Sequence, residues 1–336
     1  MCRGSFTLFS VNPIQTYPPL LQISDVRQAF RSGFFLKQTE ILHGVSFEIP
    51  ARSIFGFLGP NGAGKTTLIH LITGIRRPKS GSIRLNGVDT QEPRARAKIG
   101  YLPERPYFHE HLSGEAFLHY FGALSGMSHQ EVDDKIPGVL DAVSMAHARK
   151  LELKSYSKGM LQRIGIAQAI LHDPELLVLD EPMSGLDPVG RKEIRELILR
   201  LASEGRTIFF SSHVIPDVEA ICDQVAVIEK GTLRGCGPIS GFLDRDGAQK
   251  IEIAVAGASE FSSIFRESPQ QLGVASFRAI PEGLRITLEG RDRLHSLLSQ
   301  VLAKPELQLL WVNPIRPSLE DLFERRTAGV SEGVAS

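Results

Sequence analysis

The segment Gly59-Pro60-Asn61-Gly62-Ala63-Gly64-Lys65-Thr66-Thr67 carries the pattern G-x-x-x-x-G-K-[ST]. Glycines at those positions let successive backbone N–H groups converge on phosphate oxygens. In such a loop the Lys65 ammonium pairs with β and γ oxygens, and the Thr66 hydroxyl reaches a Mg2+ ion. A second cluster lies downstream, where the apolar run Leu176 to Leu179 ends in Asp180, Glu181 and Pro182. Buried strands rarely end in adjacent acids without a cation, which places Asp180 in a Mg2+ shell. Glu181, one residue on, is then placed to polarise a water for in-line attack on a γ-phosphate.

These residues need elements to hold them. Ser53 to Leu58 is a short apolar run before the glycine loop, and Thr66 to Thr73 has a helical pattern, so strand, loop and helix follow in the order a phosphate site requires. Glu175 to Leu179 and Thr207 to Phe210 read as strands buried in a parallel sheet, with Asp187 and Pro188 as N-cap and first residue of a helix reaching about Ser203. Ser113 to about Leu171 reads as a helical insertion, with a capping box at Ser128 and Glu131. The fold class is therefore α/β. Ahead of the loop, strand-like runs at Leu20 to Val26 and Val45 to Ile49 flank Arg31 to Glu40, whose mixed charge and aromatics predict a hairpin loop.

After the strand Gln224 to Glu229, a turn at Lys230 and Gly231 leads into Thr232 to Cys236, and Pro238, Gly241 and Gly247 mark a linker. Beyond it the pattern is strand Lys250 to Ala256, helix Glu260 to Glu267, strands Ala275 to Ile280 and Leu284 to Leu288, helix Arg291 to Leu302 and strand Leu307 to Val312. That β-α-β-β-α-β order predicts a small ferredoxin-like α+β domain. Ser318 with Asp321 is expected to cap a last amphipathic helix. The expected organisation is a disordered extension over 1–19, a nucleotide-binding domain over 20–240 with a helical subdomain at about 104–172, an accessory domain over 248–326, and a disordered tail over 327–336.

Composition bounds what such a protein does. The 336 residues balance 38 basic against 38 acidic side chains, which excludes polyanion binding driven by bulk charge. Hydrophobic residues at 42% and charged residues at 23% fit a globular chain. Cys2, Cys222 and Cys236 form no C-x-x-C pair, so a reducing compartment is expected. Gly4 to Ser24 is uncharged, but Asn12, Pro13, Gln15, Pro18 and Pro19 break it, giving a disordered extension rather than a span or signal peptide.

From about Leu20 to Gly237 the order and spacing of motifs resemble the ATP-binding subunits of ABC transporters: a P-loop NTPase core with a helical subdomain. Tyr156-Ser157-Lys158-Gly159-Met160 stands at the family's signature position, usually L-S-G-G-Q, a helix N-terminus that binds γ-phosphate in the opposite subunit. Lys158 and Met160 replace a glycine and a glutamine, while Ser157 and Gly159 keep the hydroxyl and amide donors. Ser184-Gly185-Leu186-Asp187 matches the D-loop at the dimer interface, His213 matches the switch histidine that contacts γ-phosphate, and Phe30 stands where the family stacks an aromatic on adenine. Glu104 occupies the position where the family usually has a glutamine near magnesium or the attacking water; the alternative is that it points to solvent and pairs with a neighbour such as Arg105. The resemblance thus implies ATP and Mg2+ as cofactors, Glu181 and His213 as catalytic residues, and Thr66, Asp180 and Glu104 around the metal.

It also implies partners: a second ATP-binding subunit, a homodimer being expected, and a separate transmembrane permease, with the chain peripheral to the cytoplasmic face of the membrane and no nucleic acid bound. The C-terminal extension ending in Ser318-Leu-Glu-Asp-Leu-Phe-Glu-Arg-Arg326 resembles exporters of drugs, lipids or polysaccharides. The alternative is a soluble ABC ATPase acting on ribosomes or nucleic acid. The interval from Lys65 to Ser157 leaves no room for the long coiled coil of the chromosome branch, and translation factors usually carry two ATP sites per chain. A P-loop kinase would need no signature motif. His109, His111, His119 and His129 cluster in the helical insertion, but no Cys, Asp or Glu completes a convincing ligand spacing. Tyr107, Phe108 and Phe117 read as core, although in the family this insertion meets the membrane subunit, and Arg94, Arg96 and Lys98 read as a solvated face, with contact to membrane headgroups as the second reading.

Overall fold

The chain divides into two units, Met1–Gly237 and Pro238–Ser336. A computed structural model describes residues 19–32, 37–243, 250–258 and 265–315. Residues 1–18 of the expected N-terminal extension, residues 260–264 of the helix placed at Glu260 to Glu267, the Ser318 cap and the tail fall outside the described residues; residue 19 already belongs to a strand, and residues 265–267 are not helical.

The first unit opens with two long strands, β1 (Pro19–Ser32) and β2 (Lys37–Pro50), paired antiparallel. Leu21 pairs with Ile49, Ile23 with Phe47 and Val26 with Val45, and all six side chains are buried. The ladder does not stop where the apolar alternation stops. It runs on through Phe30 with Thr39, Arg31 with Gln38 and Ser32 with Lys37, so most of the segment expected to be a hairpin loop is strand. Backbone ladders need no apolar face, and the Arg27 guanidinium lies 3.8 Å from Glu40 across the two strands.

Next come β3 (Ile54–Leu58), α1 (Lys65–Ile72), β4 (Ser80–Leu85), β5 (Val88–Asp89), α2 (Pro93–Arg96) and β6 (Ile99–Leu102). The helical insertion supplies α3 (Gly114–Leu124), α4 (His129–Ala142) and α5 (Lys158–Ile170). Side chains cap all three: Ser113 accepts from Ala116 N, Ser128 and Glu131 form the reciprocal capping box, and Ser157 accepts from Met160 N. The unit closes with β7 (Leu176–Asp180), α6 (Pro188–Ser203), β8 (Thr207–Ser212), α7 (Ile215–Ile221), β9 (Gln224–Glu229) and β10 (Thr232–Pro238).

Two sheets result. One has the order β2-β1-β4-β5; the other has six strands in the order β10-β9-β3-β8-β7-β6, with β6 to β9 and β3 parallel to their neighbours. Every residue of β3, β7 and β8 is buried, as expected for parallel strands covered on both faces. An aromatic stack joins the two sheets: Phe47 of β2 lies 5.3 Å from Phe55 and 5.8 Å from Phe57 of β3, and 6.5 Å from Phe209 of β8.

The second unit begins with α8 (Ile239–Leu243) and contains β11 (Lys250–Ala256), β12 (Val274–Ile280), β13 (Gly283–Glu289), a helix at Leu294–Leu302 and β14 (Gln308–Ile315). Its sheet is antiparallel in the order β12-β13-β11-β14. One face buries Ile251, Ile253, Val255, Leu284, Ile286 and Leu288 against Leu297 and Val301 of the helix. The expected helix from Arg291 starts later, after a 3-10 turn at Arg291–Arg293.

Candidate active site

The parallel sheet gathers the reactive groups at one edge, because the C-terminal ends of β3, β7 and β8 lie side by side. This is the edge at which open α/β sheets bind ligands. β3 runs into the glycine loop, whose backbone makes two demands on sequence. A Cβ at Gly59 would stand 2.4 Å from the Ile228 carbonyl oxygen, and Gly64, the residue before α1, has φ +106 with Leu42 Cδ2 only 2.8 Å from where a Cβ would be. The turn between β9 and β10 pins the loop from outside, since Gly231 N–H donates to the Ala63 carbonyl at 3.0 Å.

Lys65 is 7% exposed, and its ammonium donates to the Gly59 carbonyl at 2.7 Å. It also lies 3.1 Å from Glu181 Oε1, an ion pair without hydrogen-bond geometry. Glu181 Oε2 meets His213 Nδ1 at 2.9 Å. Glu181 itself holds φ +49, an uncommon conformation for a residue with a Cβ. Its backbone N–H donates to Ser211 Oγ at 2.9 Å, and Ser211 Oγ donates onward to Asp180 Oδ1 at 2.6 Å. Ser211 therefore fixes both acids at once. Sequence reading passed it over; the only signal was a pair of serines, Ser211 and Ser212, ending an otherwise apolar strand.

Asp180 is 1% exposed, and burial pushes its carboxyl up from the ordinary range. Hydrogen bonds from Ser211 and Thr66 oppose that rise, and the neighbouring charges of Glu181 and Glu104 add to it. Its second oxygen, Oδ2, is buried with no hydrogen-bond partner. An unpartnered carboxylate oxygen beside a threonine hydroxyl is a hard donor set that suits Mg2+. Glu104 stands at the rim, partly exposed, with Oε1 3.9 Å from Arg105 Nε and close enough to act on Asp180 through its charge.

The other expected site residues are placed differently. Phe30 on β1 has the Arg76 guanidinium over its ring at 4.6 Å. Asp187 caps α6, its Oδ1 accepting from Gly190 N–H at 2.7 Å. Ser157 and Gly159 open α5; Ser157 is exposed, and a Cβ on Gly159 would meet nothing closer than 4.0 Å. Lys158 brings its Nζ against Gly185, where an added Cβ would stand 1.9 Å away, so the start of α5 touches the Ser184-to-Asp187 turn of its own chain. That turn is anchored behind the site, because Arg191 and Arg195 of α6 grip the buried carboxylate of Asp217 on α7 at 2.7 and 3.0 Å.

In the helical insertion Phe117 is buried as expected, Phe108 is half-buried, and Tyr107 is 81% exposed. All three line a groove of about 820 Å³ together with Pro106, Phe121 and Leu124. Among the described residues no helix is long and apolar enough to cross a membrane.

Residues 42–184 match the family described as ABC transporter. An uncharacterized ABC transporter ATP-binding protein of Synechocystis sp. is 38% identical over 94% of this chain and 86% of its own length. The Nod factor export ATP-binding protein I of Rhizobium sp. is 32% identical over 85% of this chain and 92% of its own. A solved structure of an ATP binding subunit of an ABC transporter superposes on 68% of this chain and 93% of its own, with TM-score 0.58 and 28% identity.

Proposed function

Since this chain belongs to the family of ABC transporter ATP-binding proteins, we propose that it hydrolyses ATP between two copies of itself and thereby moves a separate membrane-spanning permease, for export. The family supplies the reaction, ATP plus water giving ADP and phosphate. The observation that carries the assignment of roles is the meeting of Lys65, Glu181 and His213 at the sheet edge. With phosphates in the glycine loop, Lys65 exchanges Glu181 for phosphate oxygens. That frees Glu181 to accept the proton of the attacking water, while His213 holds the far carboxylate oxygen in place. Mg2+, when bound, would neutralise phosphate charge; Thr66 and Asp180 would hold it, with Glu104 at the rim approaching it directly or through one water. Adenine takes the face of Phe30 opposite Arg76.

Ser157 and Gly159 complete the site of the opposite subunit, because an exposed helix start offers N–H groups and a hydroxyl to phosphate. The groove beside Tyr107 suits an apolar helix end of the permease, which would keep the chain at the cytoplasmic membrane face. Export rests on likeness to the Nod factor export protein. Co-purification with a polytopic membrane protein, reduced when Tyr107 and Leu124 are both changed to Ser, tests the partner. Retention of the complex by that double variant, or stable ATPase activity bound to ribosomes instead of membranes, overturns it.

A further inference from the structure

Two histidines from different helices of the insertion meet. His119 lies in the last two turns of α3, and His129 is the first residue of α4. Their ring centroids are 4.2 Å apart. Asp133, one helical turn after His129, stands between them: Oδ1 is 3.0 Å from His119 Nε2, and Oδ2 is 2.9 Å from His129 Nδ1. All three ligand atoms lie within 4.8 Å of one another. His109 and His111 do not join; His109 packs edge-on against Tyr107 and Tyr120.

We propose that His119, His129 and Asp133 form a binding site for a borderline divalent cation of the zinc type, bridging α3 and α4. The donor set is two imidazole nitrogens and one carboxylate oxygen, which suits zinc, cobalt or nickel better than calcium or magnesium. His129 and Asp133 are spaced i, i+4 on one helix face, so two ligands are aligned by the helix itself. The third comes from a different helix, which makes the ion a cross-link rather than a surface chelate. A tetrahedral zinc with bonds of about 2.0 to 2.1 Å sets its ligand atoms roughly 3.4 Å apart, and the three ligand atoms, one per residue and all within 4.8 Å of one another, reach that spacing by small side-chain rotations.

The surroundings permit it. His119 is one-fifth exposed, Asp133 two-fifths and His129 four-fifths, giving an entry path from solvent with one well-packed ligand. Glu115, one turn before His119, is held by Arg149 at 2.5 Å and is not spare. The fourth position therefore goes to water or an external ligand. The site is separate from Asp180 and Thr66, which offer only oxygen. Sequence reading dismissed the histidines for want of an acid; Asp133 was four residues away, but its role depends on His119 arriving from another helix.

The test uses untagged full-length protein with its phosphate loop saturated by Mg-ADP, titrated with Co2+ and read by optical absorption and calorimetry. One equivalent should bind with the spectrum of mixed nitrogen and oxygen ligation. His129→Ala and Asp133→Asn, both at solvent-accessible positions, should each weaken that binding by about tenfold or more, while His109→Ala leaves it unchanged. Zn2+ should raise the unfolding temperature of the parent but not of His129→Ala. Loss of affinity smaller than tenfold in both His129→Ala and Asp133→Asn overturns the site, as does an equal thermal shift in parent and His129→Ala.

Discussion

Around Lys65, Asp180 and Glu181 the charged groups are buried and, apart from the unpartnered Asp180 Oδ2, are compensated within a single chain, whereas the start of α5 leaves the Ser157 hydroxyl on an exposed surface. The first region carries its own counter-charges: lysine, histidine and a serine hydroxyl compensate two acids. The second carries donors in search of an acceptor. On the proposed dimer reading, the helix start open to solvent is half of a site, and the buried cluster of the opposite chain is the other half. On that reading, the contrast teaches that burial marks the groups each chain fixes by itself, and exposure marks what it lends to its neighbour's site.

The largest effect should come from the buried side. Glu181→Gln keeps the shape of the side chain as an amide but removes the base, so turnover should fall about 100 to 10,000-fold while ATP binding persists. Steady-state phosphate release beside equilibrium ATP binding separates the two, and normal turnover in saturating ATP would break the assignment.

On the exposed side, Ser157→Ala should weaken the closed, ATP-bound dimer by roughly 1.5 to 3 kcal/mol, the worth of a charge-assisted hydrogen bond. Sedimentation in ATP measures it. Mixing Lys65→Ala with Ser157→Arg chains sharpens the point, because the heterodimer keeps one intact composite site and should recover activity neither variant has alone. Activity strictly proportional to enzyme at dilutions where only monomer exists would erase the distinction between the two regions.

Smaller effects probe how much strain the buried side tolerates. Burial raises the folded-state pKa of Asp180 above its unfolded value, so the native protein binds more protons in that interval and loses stability as pH rises through it. Asp180→Asn should therefore melt roughly a few degrees higher than the parent at pH 7. The gap should close below about pH 4, where the carboxyl is protonated folded and unfolded alike. A thermal melt series across pH checks the sign. Least of all, Glu104→Gln should shift the Mg2+ requirement of ATP hydrolysis modestly, since the rim carboxylate acts on Asp180 mostly through space. Superimposable Mg2+ titrations would remove Glu104 from the metal's surroundings.

What could be read in advance was what is local. The glycine loop, the acid pair at the end of β7 and the caps at Ser128 and Asp187 each depend on residues within a few positions of one another. What escaped depends on distant pairing. The long ladder of β1 and β2 is set by backbone register, which leaves no apolar alternation near Arg31. Ser211 matters because β8 lies beside β7, and Asp133 because α3 packs on α4. Tyr107 was expected inside for its ring, yet it lines an open groove.

The stack of Phe47 on Phe55, Phe57 and Phe209 has a metrical consequence. It locks the strand pair carrying Phe30 to the strand that launches the phosphate loop, through rings that cannot slide without opening a void. In the proposed nucleotide complex, a base resting on Phe30 and phosphates resting on Lys65 are then held by one solid body, like the two jaws of a fixed gauge. Shaving Phe47 to a smaller residue should therefore loosen the distance between the two contacts, read as a smaller difference in binding between ATP and ADP than the parent shows.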